Sequence, residues 1–156
     1  MKKMYFVYIV LTMGIFILAI IWAKSDIMFM IDVPSLALLL GPTILMLLSH
    51  FSPKEFINAF KAAMAKNSAS KGELKNALLF FSTAQTLIAA STVVAVFLGI
   101  IMVLGAIWKG YDNNARILSG WMAVDFVSIL YLAFGMLFVT VPFKSAVKKK
   151  LNELES

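Results

Sequence analysis

The chain has 156 residues, of which 62% are apolar and 14% charged, with a mean hydropathy of +0.92 and a formal net charge of +6. A soluble domain carries about half apolar and a quarter charged residues, and a short chain leaves much of its surface exposed, so the surplus apolar area is expected to face lipid. The absence of cysteine excludes a disulfide framework, a thiol nucleophile and a thiolate metal site, and the single histidine, His50, excludes a His-rich metal cluster. The positive charge then points to anionic phospholipid rather than to nucleic acid.

Four apolar runs are long enough to span a bilayer, which takes about 20 helical residues. The first, Met4–Ala23, carries no charge. Lys2 and Lys3 before it resemble a signal-peptide n-region, but the run is too long for the apolar part of a signal peptide. No small-x-small cleavage site precedes Lys24, so the run is read as a retained span. The second, Val33–Phe51, opens on Asp32-Val33-Pro34-Ser35, an N-cap followed by proline in the first turn. Ser52-Pro53-Lys54-Glu55 has the same logic and predicts a short amphipathic helix. Phe56, Phe60 and Met64 would share one face of it, laid on the inner membrane surface. Ser68-Ala69-Ser70-Lys71-Gly72 is expected to break that helix.

The third run, Ala77–Ile107, would make a helix of about 46 Å, well beyond a hydrocarbon core of about 30 Å. Its polar-rich start, Phe80–Thr86, is expected to project from the bilayer or to pack against protein. The fourth run is Leu118–Phe143.

Lysine placement orients these spans. Lys2 and Lys3, Lys54, Lys61, Lys66, Lys71 and Lys75, and Lys144, Lys148, Lys149 and Lys150 fall on one side, leaving only Lys24, Lys109 and Arg116 of the 14 basic residues on the other. The positive-inside rule then places both termini and the loop 52–76 in the cytoplasm, with Trp22, Trp108 and Trp121 in the outer aromatic belt. The expected fold is one all-α membrane domain over 1–156, with four transmembrane helices (4–23, 33–51, 77–107 and 118–143).

Asp125 is the residue most able to carry chemistry. An aspartate within a span costs about 2.5 kcal/mol or more, so it is expected to face a bundle interior, a partner or water. Ser128 lies three residues on, near the same helical face. One reading makes Asp125 a protonatable or ion-coordinating group beside a pathway; the other makes it an acid near the outer boundary, hydrogen-bonded to a neighbouring helix or reached by water. Gln85, Thr92 and Gly99 recur at seven-residue steps in the third run. That stripe would line a pore, dock a polar helix, or simply pack, as small and hydroxyl residues do in membranes. The run Lys148-Lys149-Lys150 is expected to meet anionic lipid. No phosphate loop, paired carboxylates or nucleophile–base pattern occurs, so no enzyme is expected and no cofactor is called for.

Ile31-Asp32-Val33-Pro34-Ser35-Leu36, Gly41-Pro42-Thr43 and Phe51-Ser52-Pro53-Lys54-Glu55-Phe56 together resemble the second span of MotA-type stator subunits, within the MotA/TolQ/ExbB proton channel family. Met122-Ala123-Val124-Asp125-Phe126-Val127-Ser128-Ile129-Leu130-Tyr131 resembles the family's fourth span, with Pro142 at its inner end. Leu98–Leu104 resembles the end of the third. The resemblance implies a pentamer of four-span subunits in the bacterial inner membrane, enclosing single-span partner helices whose aspartate carries H⁺ or Na⁺. Asp32, Pro34, Tyr131 and Pro142 would then be structural, and Gln85, Thr92, Val96, Asp125, Ser128 and Ile129 would face the ion pathway or the partner.

The chain also departs from that pattern. The segment between the second and third spans replaces a large cytoplasmic domain, so the flagellar rotor contact is not expected. Val96 and Ile129 stand where the family has pore-facing threonines, and Ala89 falls where it has a proline. Leu132 replaces a glycine, and Asp125 a small apolar residue. Two alternatives to the motor subunit follow: a non-conducting stator-like scaffold, or a self-sufficient cation channel with rings of Asp125.

Overall fold

The computed structural model describes residues 3–22, 31–64, 69–110 and 115–155, with the side chains of 3–6, 115–118, 121 and 124 outside that description. All regular structure among these residues is helical: α1 (Lys3–Trp22), α2 (Val33–His50), α3 (Pro53–Met64), α4 (Lys71–Trp108), α5 (Ala115–Gly135), a π-helical turn (Met136–Thr140) and α6 (Val141–Glu155). Gly135 and Val141 both keep right-handed helical dihedrals, so α5, the π-turn and α6 form one continuous rod. Three of these helices have the length and apolarity to cross a membrane, and α1 is a shorter apolar helix over Val7–Trp22. Length and composition are those of a multi-pass membrane protein.

The local chemistry of the helix ends explains where they begin. At α2 the Asp32 carboxylate accepts the Ser35 N–H at 2.7 Å, with Pro34 in the first turn, as expected. At α3 Ser52 N–H donates to Glu55 Oε2 at 2.7 Å while Glu55 N–H reaches back to Ser52 Oγ. Ser70 and Glu73 repeat this reciprocal cap at the start of α4. Gly72, expected in a break, therefore lies inside the first turn of α4, because the Ser70 cap starts the helix before it.

The 38 residues of α4 make a rod of about 57 Å, longer still than the apolar run alone predicted. This helix is the hub, touching α2, α3, α5 and α6. The best-packed core lies at its lysine-rich end: Phe80 and Phe81 of α4 are buried against Leu47 of α2, Ala59, Ala62 and Ala63 of α3, and Val147 and Leu151 of α6. Phe51, Phe56 and Phe60 meet Phe80 with centroids 5.2, 4.7 and 6.1 Å away, and Phe143 stacks on Phe81 at 5.5 Å. Edge-on and stacked aromatic pairs each add about 0.5–1.5 kcal/mol beyond their area.

This core changes the expected setting of α3. Much of its apolar face packs on α4 and α6, while Ile57 and Met64 remain exposed. Phe56 and Phe60 pack inward, whereas Met64, expected on the same face, is exposed. The α6 lysines divide in the same way. Lys148 and Lys149 are exposed, but Lys150 turns inward and donates to the carbonyls of Ala62 and Ala63, both at 2.8 Å. It thereby caps the C-terminal end of α3, where a cation is favoured. Burial lowers the Lys150 pKa, with Glu153 opposing. An ion pair between Lys71 and Glu155, 2.8 Å apart, closes the same end of the bundle.

At the other end Trp22 and Trp108 are almost fully exposed, and the Trp121 side chain lies outside the described residues. Lys24 also lies outside them, as does the side chain of Arg116. α1 meets the bundle where Phe16 sits edge-on to Phe134 at 5.3 Å.

A candidate ion-pathway seam between α4 and the last rod

α4 and the α5–α6 rod run antiparallel along a seam whose register can be followed residue by residue. At the tryptophan end, Gly99 faces Asp125 so closely that a Cβ on Gly99 would overlap the carboxylate. Further down, Ile88 fills the space beside Gly135, where a Cβ would come within 2.8 Å of its Cδ1. At the lysine-rich end, Lys144 Nζ donates to Gln85 Oε1 at 3.0 Å and to Ser82 Oγ at 3.3 Å. The seven-residue stripe Gln85–Thr92–Gly99 is therefore the face that α4 turns to the last rod, and its small and polar residues let the two helices close.

The expected site residues fall on both sides of this seam. Asp125 is half-buried, its carboxylate seated on Gly99, with no hydrogen bond or ion pair to another described residue. Ser128 and Thr92 are each 3% exposed, and the Thr92 hydroxyl donates to Ile88 O at 2.8 Å. Gln85 is engaged by Lys144, so it is not a free pore-lining amide. Val96 is half-buried, whereas Ile129 points outward with 45% of its surface exposed. Phe97 and Phe126 are also exposed, so the outward face at this level is apolar while the polar groups are turned into the seam.

The four residues expected to be structural divide between two places. Tyr131 accepts the Asp32 backbone N–H at 2.8 Å, tying the start of α2 to α5, and Pro34 sits exposed beside that joint. Pro142 lies in the first turn of α6, directly after the π-turn. A proline has no N–H, and its ring collides with the carbonyl four residues back, so the helix widens there.

Two contacts escaped the sequence. Lys144 reaches back along its own helix to α4, because helical side chains lean toward the N-terminus; nothing in the sequence around it pairs it with Gln85 or Ser82. Thr43 of α2 lies 3.1 Å from Ser91 of α4, hydroxyl to hydroxyl. Their sequence positions alone give no sign that α2 and α4 are neighbours at that height.

Around Asp125 the described residues supply one carboxylate and, one turn on, the Ser128 hydroxyl. That set can take up and release a proton; it offers fewer oxygens than a coordinated hard cation takes. Among the described residues no group of three or more histidines, aspartates or glutamates comes together. Compared with known protein families and with curated proteins, the chain matches none.

Proposed function

We propose that this chain is a subunit of an ion-driven membrane complex of the MotA/TolQ/ExbB type, a four-span protein with both termini in the cytoplasm that assembles as a pentamer around single-span partner helices. The observation that carries this reading is the pairing of an overlong α4 with an equally continuous α5–α6 rod, lengths that suit a subunit wall reaching past a hydrocarbon core of about 30 Å at its lysine-rich end. The Asp32–Tyr131 joint supports it further, since it links two segments on which the family resemblance rests.

The outward apolar face of α4 and α5 suits contact with an apolar partner helix, whose own aspartate would carry the proton. Asp125 turned toward Gly99 of its own chain speaks for this arrangement over a self-sufficient channel built from Asp125 rings. A second reading, a non-conducting scaffold of the same shape, is favoured by the exposed Ile129 and half-buried Val96, because apolar constrictions resist ions.

Native mass spectrometry of the complex extracted from membranes tests the proposal. Five copies with a single-span peptide bearing an intramembrane aspartate are expected, and a monomer or dimer overturns it. Proton flux measured with that partner present then separates motor from scaffold.

A further inference from the structure

Thr12, Thr43, Thr86 and Thr92 each donate their hydroxyl to the carbonyl four residues back, the ordinary way a helical threonine is satisfied. Thr140 does not. It is 5% exposed, and its Oγ1 is buried without a hydrogen-bond partner among the described residues. The π-turn explains why: the Met136 carbonyl, four residues back from Thr140, accepts the Val141 N–H, and the widened turn moves it out of line with the threonine hydroxyl. Buried polar groups are normally paired with protein or with ordered water, and within a bilayer that demand is stronger.

Lys144 lies four residues beyond Thr140, on the same helical face. Its ammonium donates to Gln85 and Ser82, which uses two of its three hydrogens. An orphaned hydroxyl and a spare ammonium hydrogen thus sit one turn apart, on the side of the rod that faces α4.

We propose that Thr140 and Lys144 hold an ordered water in the π-turn, extending the Ser82–Gln85–Lys144 cluster by one turn into the apolar bundle. Water is the ligand this chemistry selects: it accepts from the ammonium and exchanges a hydrogen bond with the hydroxyl, whereas a cation is repelled by Lys144. Thr140 lies about 6 Å along the rod from Lys144, within reach of a single bridging water. The inference does not depend on the motor reading, since it follows from the π-turn and the Lys144 contacts.

Solid-state NMR of the intact protein in lipid bilayers, with magnetisation transferred from water, tests this directly. Transfer to Thr140 should be fast, as at Lys144, and much slower at Thr92, which is equally buried but internally bonded. Thr140→Val should abolish the fast transfer to the turn and lower Tm, and Thr140→Ser should preserve both. Transfer at Thr140 no faster than at Thr92 overturns the proposal. So does a Tm for Thr140→Val at or above that of the unmodified protein, because an unhydrated orphan hydroxyl is better replaced by a methyl group.

Discussion

The backbone N–H of Asp32 donates to the hydroxyl of Tyr131 at 2.8 Å, joining positions 99 residues apart. The same Asp32 accepts the Ser35 N–H through its carboxylate, so one residue both starts α2 and fastens it to α5. Ala115 lies about 24 Å of helix before Tyr131. α5 and its partner α4 therefore continue beyond the level at which α2 begins, and Asp125 lies in that continuation.

Tyr131→Phe should lower stability by about 1–2 kcal/mol, the usual cost of leaving a half-buried N–H without its acceptor. Thermal unfolding in a mild detergent measures it. Hydrogen exchange at Asp32 should accelerate while exchange in α3 stays unchanged. Unaltered exchange at Asp32 would mean that the bond contributes nothing.

Gly99→Ala should destabilise by about 1–3 kcal/mol, because the new methyl group overlaps the Asp125 carboxylate and forces α4 and α5 apart. Adding Asp125→Ala should recover most of that loss. A double-mutant cycle with a coupling below about 0.5 kcal/mol would show that the two residues do not share the space.

Lys150→Met should loosen the last turn of α3 by about 1–2 kcal/mol, since the Ala62 and Ala63 carbonyls lose a charged donor at a helix C-terminus. Lys149→Met should have little effect on stability, its ion pair with Glu153 being long, at 4.0 Å, and exposed. Instead, the exposed lysine should matter for binding to anionic vesicles. Equal effects of the two substitutions on α3 exchange would contradict the division.

The caps at α3 and α4 predict a pH dependence. Hydrogen bonds from Ser52 and from Ser70 hold the Glu55 and Glu73 carboxyls below the ordinary carboxylate range. A lowered folded-state pKa means that the unfolded chain takes up its proton first as pH falls. The cap contribution is therefore fully present above the unfolded value of about 4.3 and is lost as pH drops through the folded value. Amide exchange at the start of α4, corrected for intrinsic rates, should show this loss, and Glu73→Gln should flatten it. A profile unchanged by that substitution would rule out Glu73 as its source.

How much of this was legible before folding depends on the range of the interaction. The caps at Asp32 and Ser52 could be seen in advance, because a cap joins residues three apart, whereas the Ser70–Glu73 cap, of the same spacing, lay in a segment expected only to break the preceding helix. That α4 exceeds a bilayer was visible in the run Ala77–Ile107, but its first turns, from Lys71, were not. Nor was the setting of α3: its face of Phe56 and Phe60 satisfies a membrane surface and a protein groove equally well, and only the neighbouring Phe80, Phe81 and Phe143 decide between them.

The same distinction applies to the candidate site. Composition determined an apolar chain, and the lengths of the apolar runs and the placement of the lysines pointed to helices with one lysine-rich end, since these are read along the chain whatever its contacts. The stripe Gln85–Thr92–Gly99 was visible as a period, but a period has no partner. Tertiary structure decided that Gly99 receives Asp125, that Gln85 receives Lys144, and that Thr140 is left over by the turn before Pro142. Each depends on the register between two antiparallel rods, which is set by close packing across the seam and by the widened π-turn, and neither can be read from one strand of sequence at a time.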